Sequence, residues 1–259
     1  MRVLYVSTEV FPALKTGGLA DVNAALPPAL IEQGADVRLL LPGFPEYMDA
    51  AGPLESAVSL GPAFGLNEVT VSRGHLDGVP LYLVEAPPFY ARRGAPYGDT
   101  EGRDWPDNPL RFALLAWVAA RLAAGADGWR PDIVHGHDWH AGLVPAYLAA
   151  SGAAASGVTP AGSVFTVHNL AFQGEFPASV FPSLGLPAEY FAPQGLEFYG
   201  HVNFIKAGLH FADRITTVSP GYAREIQTPE FGFGMDGLLR HRASQLSGIL
   251  NGVDYSMWS

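Results

Sequence analysis

Arg2-Val3-Leu4-Tyr5-Val6, then Ser7-Thr8-Glu9-Val10-Phe11-Pro12, then Lys15-Thr16-Gly17-Gly18-Leu19-Ala20-Asp21-Val22: this opening stretch decides the fold. An apolar run short enough for a buried strand ends in polar residues. A lysine and two glycines follow. Helical spacing then begins at Leu19, Val22, Leu26 and Leu30. A strand, a glycine turn and a helix make a unit that can hold an anion. Glycine lets backbone approach a ligand closely, and a helix start offers unpaired N–H groups with partial positive charge. Lys15 adds a full charge. Two phosphate motifs are excluded: the P-loop, because this lysine precedes its glycines, and the dinucleotide fingerprint G-x-G-x-x-G, which is missing. On physics alone, a tight turn with a solvated lysine competes with an anion site.

The alternation continues outward. Val37 to Leu41 reads as a second strand closed by Pro42-Gly43, so residues 1 to 42 form strand, turn, helix, strand. Pro27 and Pro28 fall inside the helical pattern, where a proline costs ~3 kcal/mol or more, so a kink or restart is expected. Leu54 to Leu60, Glu68 to Leu76 and Val79 to Val84 read as short strands, the last two joined by the hairpin signal Asp77-Gly78. Phe89 to Asn108 is too long for an ordinary connection and is expected to be functional or mobile. Leu110 to Ala124 is a helix, Asp132 to His135 a strand, Ala141 to Ala150 a helix and Ser163 to Val167 a strand. Residues 151 to 162 are a small-residue loop. Phe172 to Tyr199 lacks periodicity. Asn203 to Ala212, Gly221 to Gln227 and Gly237 to Ala243 read as helices, with strands at Arg214 to Val218 and Ile249-Leu250. The fold class is therefore α/β: a Rossmann-like, doubly wound, mainly parallel sheet with an antiparallel excursion. Ligands of such sheets sit at the carboxyl ends of the strands.

Composition narrows the function. With 259 residues and 48% apolar content, a sizeable core can form. No run approaches the ~20 apolar residues of a membrane span, and the N-terminus lacks a secretory pattern. Zero cysteines removes disulfides, thiol catalysis and thiolate metal sites; a cytoplasmic location fits. A net charge of −10 argues against a nucleic-acid surface.

Chemistry-bearing residues cluster at predicted strand ends. Glu9 is either a solvated loop residue or a cleft carboxylate accepting from sugar hydroxyls. His135-Gly136-His137-Asp138-Trp139-His140 places three histidines in six residues and raises a metal hypothesis. The pattern H-x-H-x-D-H is not met, because Trp139 stands where it needs aspartate, and no metal is expected. Capping and core histidines are the plain alternative. His168-Asn169 ends another strand. Tyr97-Gly98-Asp99 lies in the long loop, where a ring can stack on a sugar face.

Lys-Thr-Gly-Gly-Leu-Ala-Asp-Val at 15–22, His-Gly-His-Asp-Trp-His-Ala-Gly-Leu at 135–143, Thr-Val-His-Asn-Leu with Gln173-Gly174 following, Thr217-Val218-Ser219-Pro220, and Leu250-Asn251-Gly252-Val253-Asp254 together resemble the bacterial glycogen synthases and plant starch synthases. The five matches stand in order over nearly the whole chain. The resemblance implies a single domain over residues 1–259, one half of a two-domain GT-B glycosyltransferase, with the C-terminal domain lying outside this sequence. It implies retaining transfer of glucose from ADP-glucose to the non-reducing end of an α-1,4-glucan such as glycogen, with no cofactor. Lys15, Gly17 and Gly18 would serve the donor phosphates. Asp138 and His168 would serve the transferred glucose, with Asn169 beside them. Glu9, Asp21 and Tyr97 would line the acceptor side, and Asn251 would reach the interdomain cleft. The preference for ADP over UDP rests on the resemblance alone. The family's second domain supplies further basic residues, so this half is expected to be inactive by itself. A glucan or nucleotide-sugar binding module without turnover remains the alternative, and a metal-dependent hydrolase, resting on the histidines, a third.

Overall fold

In the computed structural model, which describes residues 1–151 and 159–252, the chain runs β1 (Arg2–Val6), α1 (Gly18–Glu32), β2 (Asp36–Pro42), α2 (Pro45–Ala50), β3 (Glu55–Ser59), β4 (Thr70–Leu76), β5 (Val79–Glu85), α3 (Pro87–Tyr90), α4 (Asn108–Ala123) and β6 (Ile133–His137). It continues with α5 (Val144–Ala150), β7 (Gly162–Val167), β8 (Glu175–Pro177), β9 (Glu197–Phe198), β10 (His201–Asn203), α6 (Phe204–Phe211), β11 (Arg214–Thr217), α7 (Pro220–Glu225), α8 (Asp236–His241) and β12 (Leu246–Gly248).

Nine strands form one sheet in the order β12-β11-β7-β6-β1-β2-β5-β4-β3. Pairing is parallel from β12 to β5 and antiparallel from β5 to β3. The strands at the centre are buried because their residues are apolar nearly throughout: Val3 to Val6, Leu39 to Leu41 and Leu81 to Val84 are all within 3% of full burial. The chain leaves β1 for β2 and β5 on one side, then returns to place β6 on the other. The order therefore reverses between β1 and β6, which opens a crevice at their carboxyl ends. Helix α4 is apolar on nearly every side and packs against β1, β2 and α5. A small antiparallel sheet, β8-β10-β9, occupies the region without periodicity.

The Asp77-Gly78 hairpin forms as expected, with both residues at positive φ. Two expectations need correction. Helix α1 runs unbroken through Pro27 and Pro28: Pro27 is buried, and the turns beyond the prolines still close through Gln33 N–H to the Ala29 carbonyl and Ala35 N–H to Leu30. The last strand is Leu246–Gly248, not Ile249-Leu250, whose side chains are exposed. The segment 89–108, expected to be functional or mobile, is anchored at several points. Arg111 of α4, 1% exposed, donates to the carbonyls of Phe89 (2.8 Å) and Pro96 (2.9 Å) and to Asn108 Oδ1 (2.7 Å). Arg92 clamps Asp107 with both guanidinium arms, and Trp105 N–H closes onto Tyr97 O at 3.0 Å.

Candidate active site

Glu9 leaves the end of β1 and turns back beneath the glycine turn. Its carboxylate, 2% exposed, accepts from Thr16 N–H (2.6 Å), Thr16 Oγ1 (2.6 Å) and Gly17 N–H (3.3 Å), and also from the Tyr97 hydroxyl. Gly17, the N-cap of α1, has no side chain to cap the helix. Glu9 supplies the anion that a helix start attracts. The amides left for an outside anion are those of Gly18 and Leu19, the first of the helix, which have no intrahelical acceptor. Lys15 Nζ, in the same turn, pairs with both oxygens of Asp21, at 2.7 and 2.8 Å, with about 40% of each side chain exposed.

The second group of residues comes from β6 and β7. Asp138 ends β6 at φ 55°, buried to 8% exposure. Its Oδ1 accepts from His168 N–H at 2.7 Å and from Asn169 N–H at 3.4 Å. The carboxylate thus holds the loop after β7 against the loop after β6. Burial raises the Asp138 carboxyl to about 7, with the Glu9 charge adding to the rise and the two amides working against it. The same burial lowers His168 to about 4, so its imidazole is neutral near pH 7. The side chain of Asn169 closes its own turn, accepting from Ala171 N–H at 3.0 Å.

Behind them the β6 histidines stack, and they do not converge on a point. His137 packs against both Tyr5 (ring centroids 4.1 Å) and His135 (4.1 Å), which also touch each other at 5.4 Å, and its Nδ1 meets His168 Nε2 at 3.0 Å. His135 Nε2 meets Thr166 Oγ1 at 2.7 Å. His140 stacks on Tyr97 at 4.4 Å and 16°. Among the described residues, no group of three or more His, Asp or Glu side chains could hold a metal ion.

The structure brings Glu9, Lys15, Gly17, Gly18, Asp21, Asp138, His168 and Asn169 to the carboxyl ends of three adjacent strands, β1, β6 and β7. Asn251 is not among them: it is exposed beyond β12, at the sheet edge. Val253 and Asp254, and part of the small-residue loop at 151–162, lie outside the described residues. Of the residues expected on the acceptor side, Glu9 is buried and Tyr97 is half-buried. Glu9 is enclosed by its four donors, and the Tyr97 ring packs on His140, Phe112 and Trp139. Sequence reasoning missed Thr16, whose amide and hydroxyl both anchor Glu9, and the link from His137 to His168. The latter follows from period-two alternation once β6 and β7 are neighbours: His137 is in register with Thr166, and His168 lies two residues further on the same face.

An open parallel sheet with an anion-ready turn and a buried polar loop on either side of its switch point defines a Rossmann-like ligand-binding domain. The family model for the starch synthase catalytic domain matches residues 2–241, and the chain belongs to that family. It is 54% identical over its full length to a glycogen synthase of Paramagnetospirillum magneticum and 53% identical to one of Francisella philomiragia. It covers 53% and 54% of those proteins, so the chain spans about half the length of the curated relatives it matches. The catalytic domain of starch synthase IV from Arabidopsis thaliana, solved bound to ADP and acarbose, superposes with a TM-score of 0.87 at 31% identity, over all of this chain and 53% of that one. Among the described residues, no helix is long and apolar enough to cross a membrane.

Proposed function

We propose that this chain is the N-terminal half of a retaining glucosyltransferase of the GT-B architecture, which moves glucose from ADP-glucose to the non-reducing end of an α-1,4-glucan in the cytoplasm. One observation carries the reading. The Lys15 turn and the Asp138–His168 loop stand on adjacent strands at the point where strand order reverses. The relatives named glycogen synthases and the solved relative carrying ADP and acarbose support it.

In this reading Lys15 releases Asp21 and, with the Gly18 and Leu19 amides, neutralises the diphosphate as the bond to glucose breaks. That is electrostatic stabilisation of a leaving group. The neutral His168 and the buried Asp138 position the transferred glucose. Asp21, once released, and Asn169 border the acceptor. Asn251 reaches them only through a second domain, which supplies the opposite wall of the cleft and excludes water. Glu9 and Tyr97 brace the turn from within.

The test is a pair of measurements on the purified chain. Calorimetric titration with ADP is expected to give weak, saturable binding, and absence of binding at millimolar ADP would overturn the donor assignment. Incubation with radiolabelled ADP-glucose and glycogen is expected to incorporate no label, because half a cleft leaves the diphosphate in water. Label above a Lys15→Ala control would show that one domain suffices and would overturn the two-domain reading.

A further inference from the structure

His137 takes no part in the proposed chemistry, yet it is one of the most constrained side chains in the molecule. It is wholly buried at the end of β6. Its ring packs against Tyr5, at 4.1 Å and 26°, and against His135, at 4.1 Å and 35°, in a triangle of rings closed by the 5.4 Å contact of Tyr5 with His135. Tyr5 is itself pinned, its hydroxyl donating to Asn23 Oδ1 at 2.7 Å. The plane of the His137 imidazole is therefore set by packing, and only its protonation pattern is left to choose.

Its two nitrogens have unequal surroundings. Nδ1 faces His168 Nε2 at 3.0 Å. Nε2 is sealed from solvent and, among the described residues, has no partner. A neutral imidazole carries one N–H and one lone pair. If the hydrogen sat on Nε2, a buried donor would be left without an acceptor, the rarer and costlier defect in a folded protein. If it sits on Nδ1, the orphan is a lone pair and the hydrogen bond to His168 is made. The second arrangement wins. His168 Nε2 must then be an acceptor, and the hydrogen of its neutral ring must be on Nδ1. That nitrogen has no partner among the described residues and, unlike His137 Nε2, it is not sealed.

We infer that His137 is a positioning residue that locks His168 in the Nδ1–H tautomer, so that the crevice meets a hydrogen-bond donor. A group recognised there must offer an oxygen lone pair, as a sugar hydroxyl does. The statement about a sugar rests on the glucosyl-transfer reading; the tautomer does not.

The experiment is long-range proton–nitrogen correlation NMR on the chain labelled with nitrogen-15 at histidine, at pH 7.5, with His168→Gln identifying the His168 signals. A single Nδ1–H pattern for His168 is expected, and an Nε2–H pattern in the unmodified chain would overturn the inference without any mutant being made. His137→Asn puts an amide N–H where Nδ1–H stood and is expected to keep His168 as Nδ1–H. His137→Phe fills the same slot with no donor and is expected to release His168 toward the Nε2–H form that free imidazoles favour. A His137→Phe chain with unchanged β2 and β5 amide signals and unchanged His168 tautomer would overturn it. A chain that binds no ADP but shows the Nδ1–H pattern would defeat the functional reading and leave this one standing.

Discussion

The two sides of the crevice are built on opposite terms. On the β1 side the charges are full and wet: Lys15 and Asp21 pair at 2.7 Å with about 40% of each side chain in solvent. On the β6 and β7 side the groups are buried or half-buried and mostly neutral: imidazoles held below their usual range and a carboxyl raised to about 7. An exposed pair is worth ~0–1 kcal/mol, so it can exchange partners with a ligand at little cost. A buried polar group without its partner costs several times that, so the second side cannot rearrange. One side is made to give way and the other to hold still.

The sharpest way to break that contrast is acid. Burial lowers His168 to about 4, His135 to about 3 and both His137 and His140 well below 6.5. An unfolded chain takes up these protons as pH falls from 6.5, and the folded chain does so only near its lowered values. Their contribution is therefore complete above 6.5 and fades as pH falls below it, down to about 4 for His168 and about 3 for His135. Asp138 works in the opposite direction, but it is one group against four. A net loss of several kcal/mol between pH 7 and 4.5 is expected, comparable to the whole stability of a domain. Urea titrations at a series of pH values measure it. Equal stability at pH 7 and 5 would mean that water reaches the imidazoles, and the buried side would be no different from the wet one.

Asp138→Asn isolates the opposing term. The Asp138 carboxyl is raised from 3.8 to about 7, so its favourable contribution is present at low pH and fades as pH rises through about 7. Asparagine still accepts from the His168 amide and has no charge to bury. The variant is expected to be the more stable form, by an amount that widens by about 2 kcal/mol between pH 5.5 and pH 8. A difference independent of pH would place the carboxyl in water.

The alternation of strands and helices was legible because a parallel sheet needs near-continuous apolar runs, and β1, β2 and β5 are such runs. The Lys15 turn was legible because glycines between a strand and a helix have few other uses. What stayed hidden depended on distant partners. Segment 89–108 looks loose by composition, yet one buried arginine in the following helix ties it down at Phe89, Pro96 and Asn108. The stacking of Tyr97 on His140 was equally hidden. Glu9 looks like a cleft carboxylate until four donors are found around it. Residue type announces what a group can do, and the strand order decides to whom.

Glu9→Gln tests whether the wet side is itself held from beneath. The amide keeps one acceptor oxygen and puts an NH₂ where the other accepted. Charged hydrogen bonds are worth ~1.5–3 kcal/mol, and the helix start loses its capping anion. A drop in stability of about 2 kcal/mol is expected from thermal or urea unfolding. An unchanged melting temperature would mean that the turn stands without Glu9.

Lys15→Ala should have the smallest effect on the fold and a separate effect on binding, which makes it the cleanest measure of the contrast. Among the described residues the lysine pairs with Asp21 alone, and it lies 5.5 Å from the Phe11 ring. Both contacts are at the surface, where such a term is worth ~0–1 kcal/mol. Stability should therefore be unchanged. Removing the cation of the turn should nonetheless weaken ADP, because a diphosphate at a helix start gains ~1.5–3 kcal/mol from each charged hydrogen bond. That is roughly a tenfold to hundredfold rise in Kd. It should shrink as salt is raised, since the site is exposed and screening is effective within about 10 Å at 0.1 M. An ADP affinity that Lys15→Ala leaves untouched would show Lys15 to be a solvated turn residue. A melting temperature that falls with it would show that the exposed pair was holding the turn together, and that the two sides of the crevice differ less than their burial says.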